Sequence, residues 1–188
     1  MTRRREGLAE RRERHAAVDD PDLVLAAALR FLEARPRSIA EVRRRLTQAG
    51  YREELVEGAI ERLIQLRMLD DEAFARQWIE SRDRARPRGE RALRQELALK
   101  GIERTTTDRL LDERSGEEGA PERDALAAAS LLERHARTLH RESDARRRRH
   151  KAYALLGRHG FDAETCSDAI RRWETAASAG GLDGDVLP

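Results

Sequence analysis

The stretch SIAEVRRRLTQAGY, residues 38–51, determines how the rest of the sequence is interpreted. Ser38 and Glu41 have the spacing of a capping box, in which the serine oxygen accepts from the amide three residues on and the glutamate reaches back. The apolar residues that follow are three and four positions apart, so they share one helical face. Gly50 suits the left-handed conformation that ends many helices. The stretch therefore predicts one complete amphipathic helix.

The same ending recurs twice more along the chain. A leucine, three intervening residues, a glycine and an apolar residue occur as Leu46…Gly50-Tyr51, Leu97…Gly101-Ile102 and Leu156…Gly160-Phe161. The second copy is offset from the first by 51 residues and the third from the second by 59. Repetition of one pattern at intervals of roughly this length is typical of repeat arrays. Three copies of one helical unit are therefore predicted.

Each copy divides into three helices, which we term A, B and C, with the glycine closing the B helix. The predicted fold class is all-α: three tandem three-helix repeats, stacked as an elongated, curved array of either hand. The predicted repeats are residues 20–68, 69–114 and 121–174. Residues 1–19 are predicted to be a disordered basic tail, residues 115–120 an acidic linker, and residues 175–188 a disordered tail. Thr105, Thr106 and Thr107 are poor helix formers, so the second C helix is expected to be short or irregular.

Composition indicates which cell compartment and which class of protein to expect. Charged residues make up 39% of the chain and aromatic residues 4%, and 38 basic residues face 36 acidic ones. Cys166 is the sole cysteine, which excludes an internal disulfide framework. The chain shows neither a secretory signal nor a run of apolar residues long enough for a membrane span. A soluble, cytoplasmic protein is expected.

The sequence offers no catalytic or metal-binding constellation. Asp70 and Asp71 are interpreted as the start of a helix rather than as a carboxylate pair. The five histidines lack metal-ligand spacing, and no glycine-rich phosphate loop is present. Cys166 is expected in the core, and the aromatic residues, Tyr153 among them, are assigned to core packing in preference to base stacking. We therefore expect a non-enzymatic protein without cofactor or metal.

Arginine clusters are the remaining candidates for function. They lie at corresponding places in the three repeats: Arg43 to Arg45, then Arg86, Arg88, Arg91 and Arg94, then Arg146 to Arg149 with Lys151. If the B helices line one side of the array, these clusters would form a discontinuous positive track for phosphates or an acidic protein surface. The alternative is a set of solvated faces, because Glu41, Glu90 and Glu96 interrupt the track and could pair with it.

Several motifs, in this order and spacing, resemble the RecX family. The resemblance extends over about residues 23–173 and includes Arg37-Ser38 with Glu41-Val42, Leu69-Asp70-Asp71 with Phe74-Ala75, Glu96-Leu97 with Lys100-Gly101-Ile102, and Arg158-His159-Gly160-Phe161. It implies a regulator, expected to be monomeric, that binds the filament of the RecA recombinase on single-stranded DNA. It further implies lowered strand exchange, ATP hydrolysis and coprotease activity, in DNA repair and the SOS response.

The residues predicted to contact the RecA filament or DNA are Arg43, Arg44, Arg88, Arg91, Arg94, Lys100, Arg147, Arg148 and Lys151. Weak binding to single- or double-stranded DNA is a further expectation. The alternative function is a direct nucleic-acid-binding helical module, since B and C helices joined through a glycine turn resemble helix-turn-helix pairs. A helical scaffold without regulatory activity is the third hypothesis.

Overall fold

The computed structural model describes residues 7–85, 88–116 and 120–180. Within these ranges the chain forms ten α-helices and no strand. They are α1 (Leu8–Ala16), α2 (Pro21–Leu32), α3 (Ile39–Ala49), α4 (Glu53–Gln65), α5 (Asp71–Ala85), α6 (Glu90–Leu99), α7 (Arg104–Gly116), α8 (Ala120–His140), α9 (Ala145–Arg158) and α10 (Ala163–Gly180). The prediction of an all-α repeat fold is confirmed.

The helices after α1 fall into three successive triplets, α2–α4, α5–α7 and α8–α10. By its internal contacts the chain divides into two compact units. The first is Met1–Gln77 with Leu97–Glu103, and the second is Trp78–Glu96 with Arg104–Pro188. Their boundary cuts through α5 and α6, so the units do not coincide with the repeats. The elongated, curved stacking stays a prediction.

Each unit buries an apolar core made from the inner faces of its helices. In the first unit the core includes Val24, Ala28, Val42, Leu46, Val56, Ala59, Ile60, Leu63 and Leu69. In the second unit the main cluster includes Leu131, Leu132, Leu156, Phe161, Cys166, Ile170 and Trp173. Cys166 is only 1% exposed, and burial raises the pKa of its thiol, which confirms its predicted place in the core.

The three glycines that end α3, α6 and α9 share one backbone conformation. The φ angles of Gly50, Gly101 and Gly160 are 102°, 77° and 85°. Residues with a Cβ atom rarely adopt this left-handed backbone conformation, because the Cβ then lies too close to the following carbonyl oxygen. The prediction that each B helix ends at a glycine turn is confirmed.

The carbonyl that precedes each of these glycines receives a hydrogen bond from an element earlier in the chain. The oxygen of Ala49 lies 2.8 Å from Nδ1 of His15, and the oxygen of Lys100 accepts from the Ser38 hydroxyl at 2.6 Å. The oxygen of His159 accepts from the amide of Gly89 at 3.0 Å. These bonds satisfy carbonyls that a helix leaves without an intrahelical partner.

The glycine turns also bring backbone segments very close together. A Cβ on Gly101 would lie 2.3 Å from the Cβ of Ala40, and a Cβ on Gly160 would lie 2.4 Å from the backbone nitrogen of Ala92. Neither distance is possible for real atoms. Glycine is therefore required at both turns by its conformation and by the space available.

Glu41 forms the polar centre of the first unit. The capping box is present as predicted: the Ser38 hydroxyl accepts from the Glu41 amide at 3.2 Å, and the Ser38 amide donates to the carboxylate at 3.3 Å. The carboxylate also accepts from Lys100 Nζ at 2.8 Å and from Arg35 at 3.1 Å. Burial raises the pKa of Glu41, but these hydrogen bonds lower it more, to about 2.

Asp71 makes a contact that the sequence does not predict. Its carboxylate accepts from the amide of Ile39 at 2.8 Å and so joins the start of α5 to the start of α3. Asp70 accepts from the amide of Ala73 at 2.9 Å, as expected for a residue at a helix start.

The structure differs from the sequence expectations in two further places. Within the predicted N-terminal tail, α1 is helical, and its His15 stacks on Tyr51 with ring centroids 4.4 Å apart. α1 buries none of its own residues, and His15 holds it against repeat 1 through this stacking and through the contact with the Ala49 carbonyl. The second C helix, expected to be short or irregular, is the 13-residue α7, because Thr107 and the leucines that follow are buried.

At the other end, α10 extends to Gly180, into the predicted C-terminal tail of residues 175–188. Half of the predicted acidic linker of residues 115–120, namely residues 117–119, lies outside the described residues.

We expect Glu41→Gln to destabilise the protein by about 2 kcal/mol at pH 7, because the neutral amide cannot balance the partly buried Lys100 amine. The pKa of Glu41 is lowered in the folded state from its ordinary 4.5 to about 2. Its stabilising effect is therefore complete above about pH 4.5 and is lost as the pH falls towards 2. Urea unfolding of wild type and variant from pH 7 to pH 3 should show the difference between them shrinking.

The matched control for Glu41→Gln is Glu57→Gln, which removes an acid whose ion pair with Arg43 is exposed. Exposed pairs contribute less than about 1 kcal/mol, so this variant should stay close to wild type. If both substitutions lower the free energy of unfolding equally, the Glu41 network contributes no more than an exposed ion pair.

A second prediction compares two glycines three residues apart. Gly160→Ala should cost about 2–4 kcal/mol, because the new Cβ meets the Ala92 backbone and the φ angle is left-handed. Gly157→Ala should stabilise by about 0.5–1 kcal/mol, because Gly157 lies inside α9 and its Cβ position has nothing within 4 Å. Urea unfolding midpoints measure both. A harmless Gly160→Ala would contradict the proposed packing of this turn.

Candidate partner-binding surface

The predicted contact residues lie on or beside the three B helices, α3, α6 and α9. Arg43, Arg44 and Lys100 belong to the first compact unit, and the other six belong to the second. Arg86, which the sequence places in the second cluster, lies outside the described residues. Each helix therefore has to be judged from its own surroundings.

Arg43 and Arg94 occupy equivalent positions in repeats 1 and 2, and both pair with an acid 14 residues further along. Arg43 donates to both carboxylate oxygens of Glu57 at 2.6 and 2.7 Å, which raises the pKa of Arg43 and lowers that of Glu57. Arg94 donates to Asp108 at 2.8 Å and lies 2.5 Å from Glu90. Each bridge joins a B helix to its C helix.

Repeat 3 lacks this bridge. The positions equivalent to Arg94 and Asp108 are Tyr153 and Ser167, 59 residues further along. Tyr153 is 42% exposed, so the expectation that it packs in the core is wrong. Arg149 instead joins α9 to α10 through Glu174, at 2.6 Å.

Lys100 and Arg88 are held by acids within their own units. Lys100 donates to the buried Glu41 at 2.8 Å. Arg88 lies 3.4 Å from Glu96, whose carboxylate also accepts from Trp78 Nε1 at 2.9 Å and from Arg82 at 2.6 Å. Both cations have their charges balanced by partly buried carboxylates, that of Lys100 by an acid of repeat 1 and that of Arg88 by an acid of repeat 2.

Arg148 and Lys151 both bind Glu142, just before α9. Arg148 donates to the Glu142 carbonyl at 2.9 Å, and Lys151 donates to its carboxylate at 2.6 Å. The hydrogen bond from Lys151 lowers the pKa of Glu142. The two cations fix the connection between α8 and α9.

Arg44, Arg91 and Arg147 differ from the other predicted residues. All three are exposed, and within the described residues no hydrogen bond or ion pair of their side chains is found. One lies on each B helix: α3, α6 and α9. Arg147 lies close enough to Glu142 to help lower the pKa of that carboxyl, but none of the three guanidiniums donates to an acid. Each can therefore bind a phosphate or carboxylate without breaking a hydrogen bond.

Two arginine arrangements were missed by the sequence interpretation. Arg37 and Arg45 place their guanidinium carbons 4.1 and 5.7 Å from the centre of the Phe31 ring. Arg114 is 8% exposed and binds Asp83 at 3.0 Å and Asp124 at 2.6 Å, which raises its pKa although burial opposes this. No sequence signal separates Arg114 from the exposed arginines, because its partners are 31 and 10 residues away.

Metal and membrane chemistry have no support in the described residues. Residues 7–85, 88–116 and 120–180 contain no group of three or more His, Cys, Asp or Glu residues able to hold a metal ion. Among the helices in these ranges, none combines the length and the apolar character of a membrane span.

Comparison with known families agrees with the repeat structure. The family description "RecX, first three-helix domain" matches residues 25–63, and "RecX, second three-helix domain" matches residues 70–111. These matches cover helices of the first and second predicted repeats. Repeat 3 is identified by its glycine turn and by its three helices.

Individual relatives extend the similarity over most of the chain. A regulatory protein RecX of Chlorobium limicola is 35% identical over 147 residues, which cover 78% of this chain and 87% of the relative. One of Prosthecochloris aestuarii is 34% identical over 152 residues, covering 80% and 93%. One of Mycobacterium sp. strain JLS is 45% identical over 78 residues, covering 42% and 43%.

Solved structures share the fold at lower identity. The crystal structure of RecX from Lactobacillus salivarius superposes with a TM-score of 0.67 at 21% identity, covering 84% of this chain and 98% of that one. A second crystal structure, of a regulatory protein RecX, superposes with a TM-score of 0.69 at 22% identity, covering 87% of this chain and 73% of that one. From the two matched three-helix domains and the long alignments with relatives, this chain belongs to the RecX family of regulatory proteins.

Proposed function

We propose that this chain binds the filament that the RecA recombinase forms on single-stranded DNA and lowers its strand exchange, ATP hydrolysis and coprotease activities. Membership of the RecX family supports a regulatory role, and the family resemblance implies RecA as the partner. The residues also favour a role in binding, because the described surface offers exposed cations and no catalytic constellation.

The observation that carries the proposal is the exposed, unpaired arginine on each B helix. Arg44, Arg91 and Arg147 lie in three successive repeats. A repetitive partner such as a filament offers equivalent anionic groups at successive positions. Several modest contacts then combine through their high effective concentration, so that a deep pocket is unnecessary.

The other predicted contact residues divide into two groups. Arg43, Arg94, Lys100 and Lys151 are bound by acids within the chain, and we assign them mainly to shaping the surface. Arg88 and Arg148 are only partly exposed and also have partners within the chain. Binding therefore depends most on Arg44, Arg91 and Arg147.

Direct binding of nucleic acid is a second candidate function, which α9 favours. This helix contains six arginine and lysine residues and no acidic residue, whereas α3 contains Glu41 and α6 contains Glu90 and Glu96. Phosphate binding by such a surface depends steeply on salt, because each neutralised phosphate releases a counterion.

Charge reversal tests the filament proposal. The triple variant Arg44→Glu, Arg91→Glu, Arg147→Glu should need at least about tenfold more protein than wild type to halve RecA ATP turnover on single-stranded DNA, because three attractive contacts become repulsive. ATP hydrolysis and strand exchange are measured over a range of protein concentrations. Circular dichroism verifies that the variant is folded.

A matched triple variant, Arg30→Glu, Arg62→Glu, Arg137→Glu, changes the net charge equally. Its three arginines are exposed and lie on α2, α4 and α8 instead of on the B helices. It should act like wild type. If both variants inhibit as wild type does, the B-helix assignment fails, and if wild type leaves RecA turnover unchanged at every ratio, the proposed function fails.

A further inference from the structure

The outward face of α9 differs in chemistry from the corresponding face of the other B helices. Ala152, Leu155 and Leu156 point into the core, so the opposite side of the helix faces solvent. At successive turns on that side lie Arg146, His150 and Tyr153, all exposed.

Pairing within the chain leaves part of the positive charge of α9 uncompensated. Arg148, Arg149 and Lys151 bind Glu142 or Glu174. Arg146, Arg147 and Arg158 are exposed and make no side-chain hydrogen bond or ion pair among the described residues. The first turn is therefore strongly basic. Its acidic neighbours are Asp144, which caps the helix by accepting from the Arg147 amide at 2.8 Å, and Glu142 just before it.

Tyr153 stands where repeats 1 and 2 have an arginine bridged to an acid. Repeat 3 replaces both partners, with Tyr153 and Ser167, so no ion pair covers this part of the helix. The ring is 42% exposed, unusually open for an aromatic residue in this chain. One turn on, Gly157 presents no side chain, and the space where its Cβ would lie is open to 4 Å.

We infer that the outward face of α9 is a binding site for single-stranded nucleic acid. An unstacked base lies on the Tyr153 ring, and the phosphates on either side are bound by Arg146, Arg147 and Arg158. The site rests on the second proposed function, direct nucleic-acid binding, and gives that function its ligand and its stacking residue.

The combination of an aromatic ring with unpaired guanidiniums selects this ligand. A double helix keeps its bases stacked on one another, so it has no free base face for Tyr153. An acidic protein surface would use the arginines but would gain little from the ring. Single strands use both, since base stacking on aromatic side chains and phosphate binding by cations act together.

The test uses the full chain and fluorescently labelled oligothymidylate in anisotropy titrations at low salt. Tyr153→Ala should weaken binding about tenfold, because it removes one base-stacking platform, while Tyr153→Phe should stay within about twofold of wild type. On an abasic oligonucleotide of equal length, wild type and Tyr153→Ala should bind alike, since no base is present to stack.

The arginines are tested through the salt dependence of binding. Arg146→Gln with Arg147→Gln should lower the slope of log affinity against log salt by about 1.4, about 0.7 for each lost phosphate contact on a single strand. The matched double variant Arg30→Gln, Arg62→Gln should keep the wild-type slope.

The possible failures can be told apart. If wild type binds oligothymidylate and Tyr153→Ala binds equally well, the stacking site is wrong although direct nucleic-acid binding stands. If wild type does not bind oligothymidylate at low salt, both fail. If polyglutamate at equal charge displaces oligothymidylate, and Tyr153→Ala does not change the binding, the face binds acidic protein instead.

Discussion

The structure depends on the fit between each left-handed glycine turn and the segment packed against it. The last turn of a helix leaves carbonyls without partners, and the exposed carbonyl before each glycine is the one that an earlier element reaches. Because glycine has no Cβ, the arriving backbone can approach within a distance that any other residue would prevent. One device therefore ends each B helix and joins it to what precedes it.

Around these turns, arginine serves two purposes that composition cannot separate. One set is bound to carboxylates and joins neighbouring helices, as in the bridges from Arg43 to Glu57 and from Arg94 to Asp108. A second set points into solvent and is available to an anionic partner. The totals of 38 basic and 36 acidic residues do not show which arginines belong to which set.

Much of the fold could be predicted from the sequence, because its determinants are local. The capping box at Ser38 and the glycine spacing act within a few residues, and both gave the right helix ends. The side-chain partners could not be predicted in the same way. Arg43 and Arg44 are adjacent and chemically identical, but successive helical residues point about 100° apart, so one meets Glu57 and the other meets solvent. α1 was missed because its place depends on His15 and Tyr51, which are 36 residues apart.

α1 covers the glycine turn of repeat 1, which affects whether another repeat could be added there. His15 contacts the carbonyl oxygen before the first glycine, just as Ser38 and Gly89 contact the carbonyl oxygens before the second and third. α1 thus makes with repeat 1 the contact that repeat 1 makes with repeat 2 and that repeat 2 makes with repeat 3. A further repeat that used this carbonyl would have to displace α1, because His15 already bonds it. By occupying this turn, α1 also keeps a second molecule from docking on it in the open head-to-tail manner that leads to fibres.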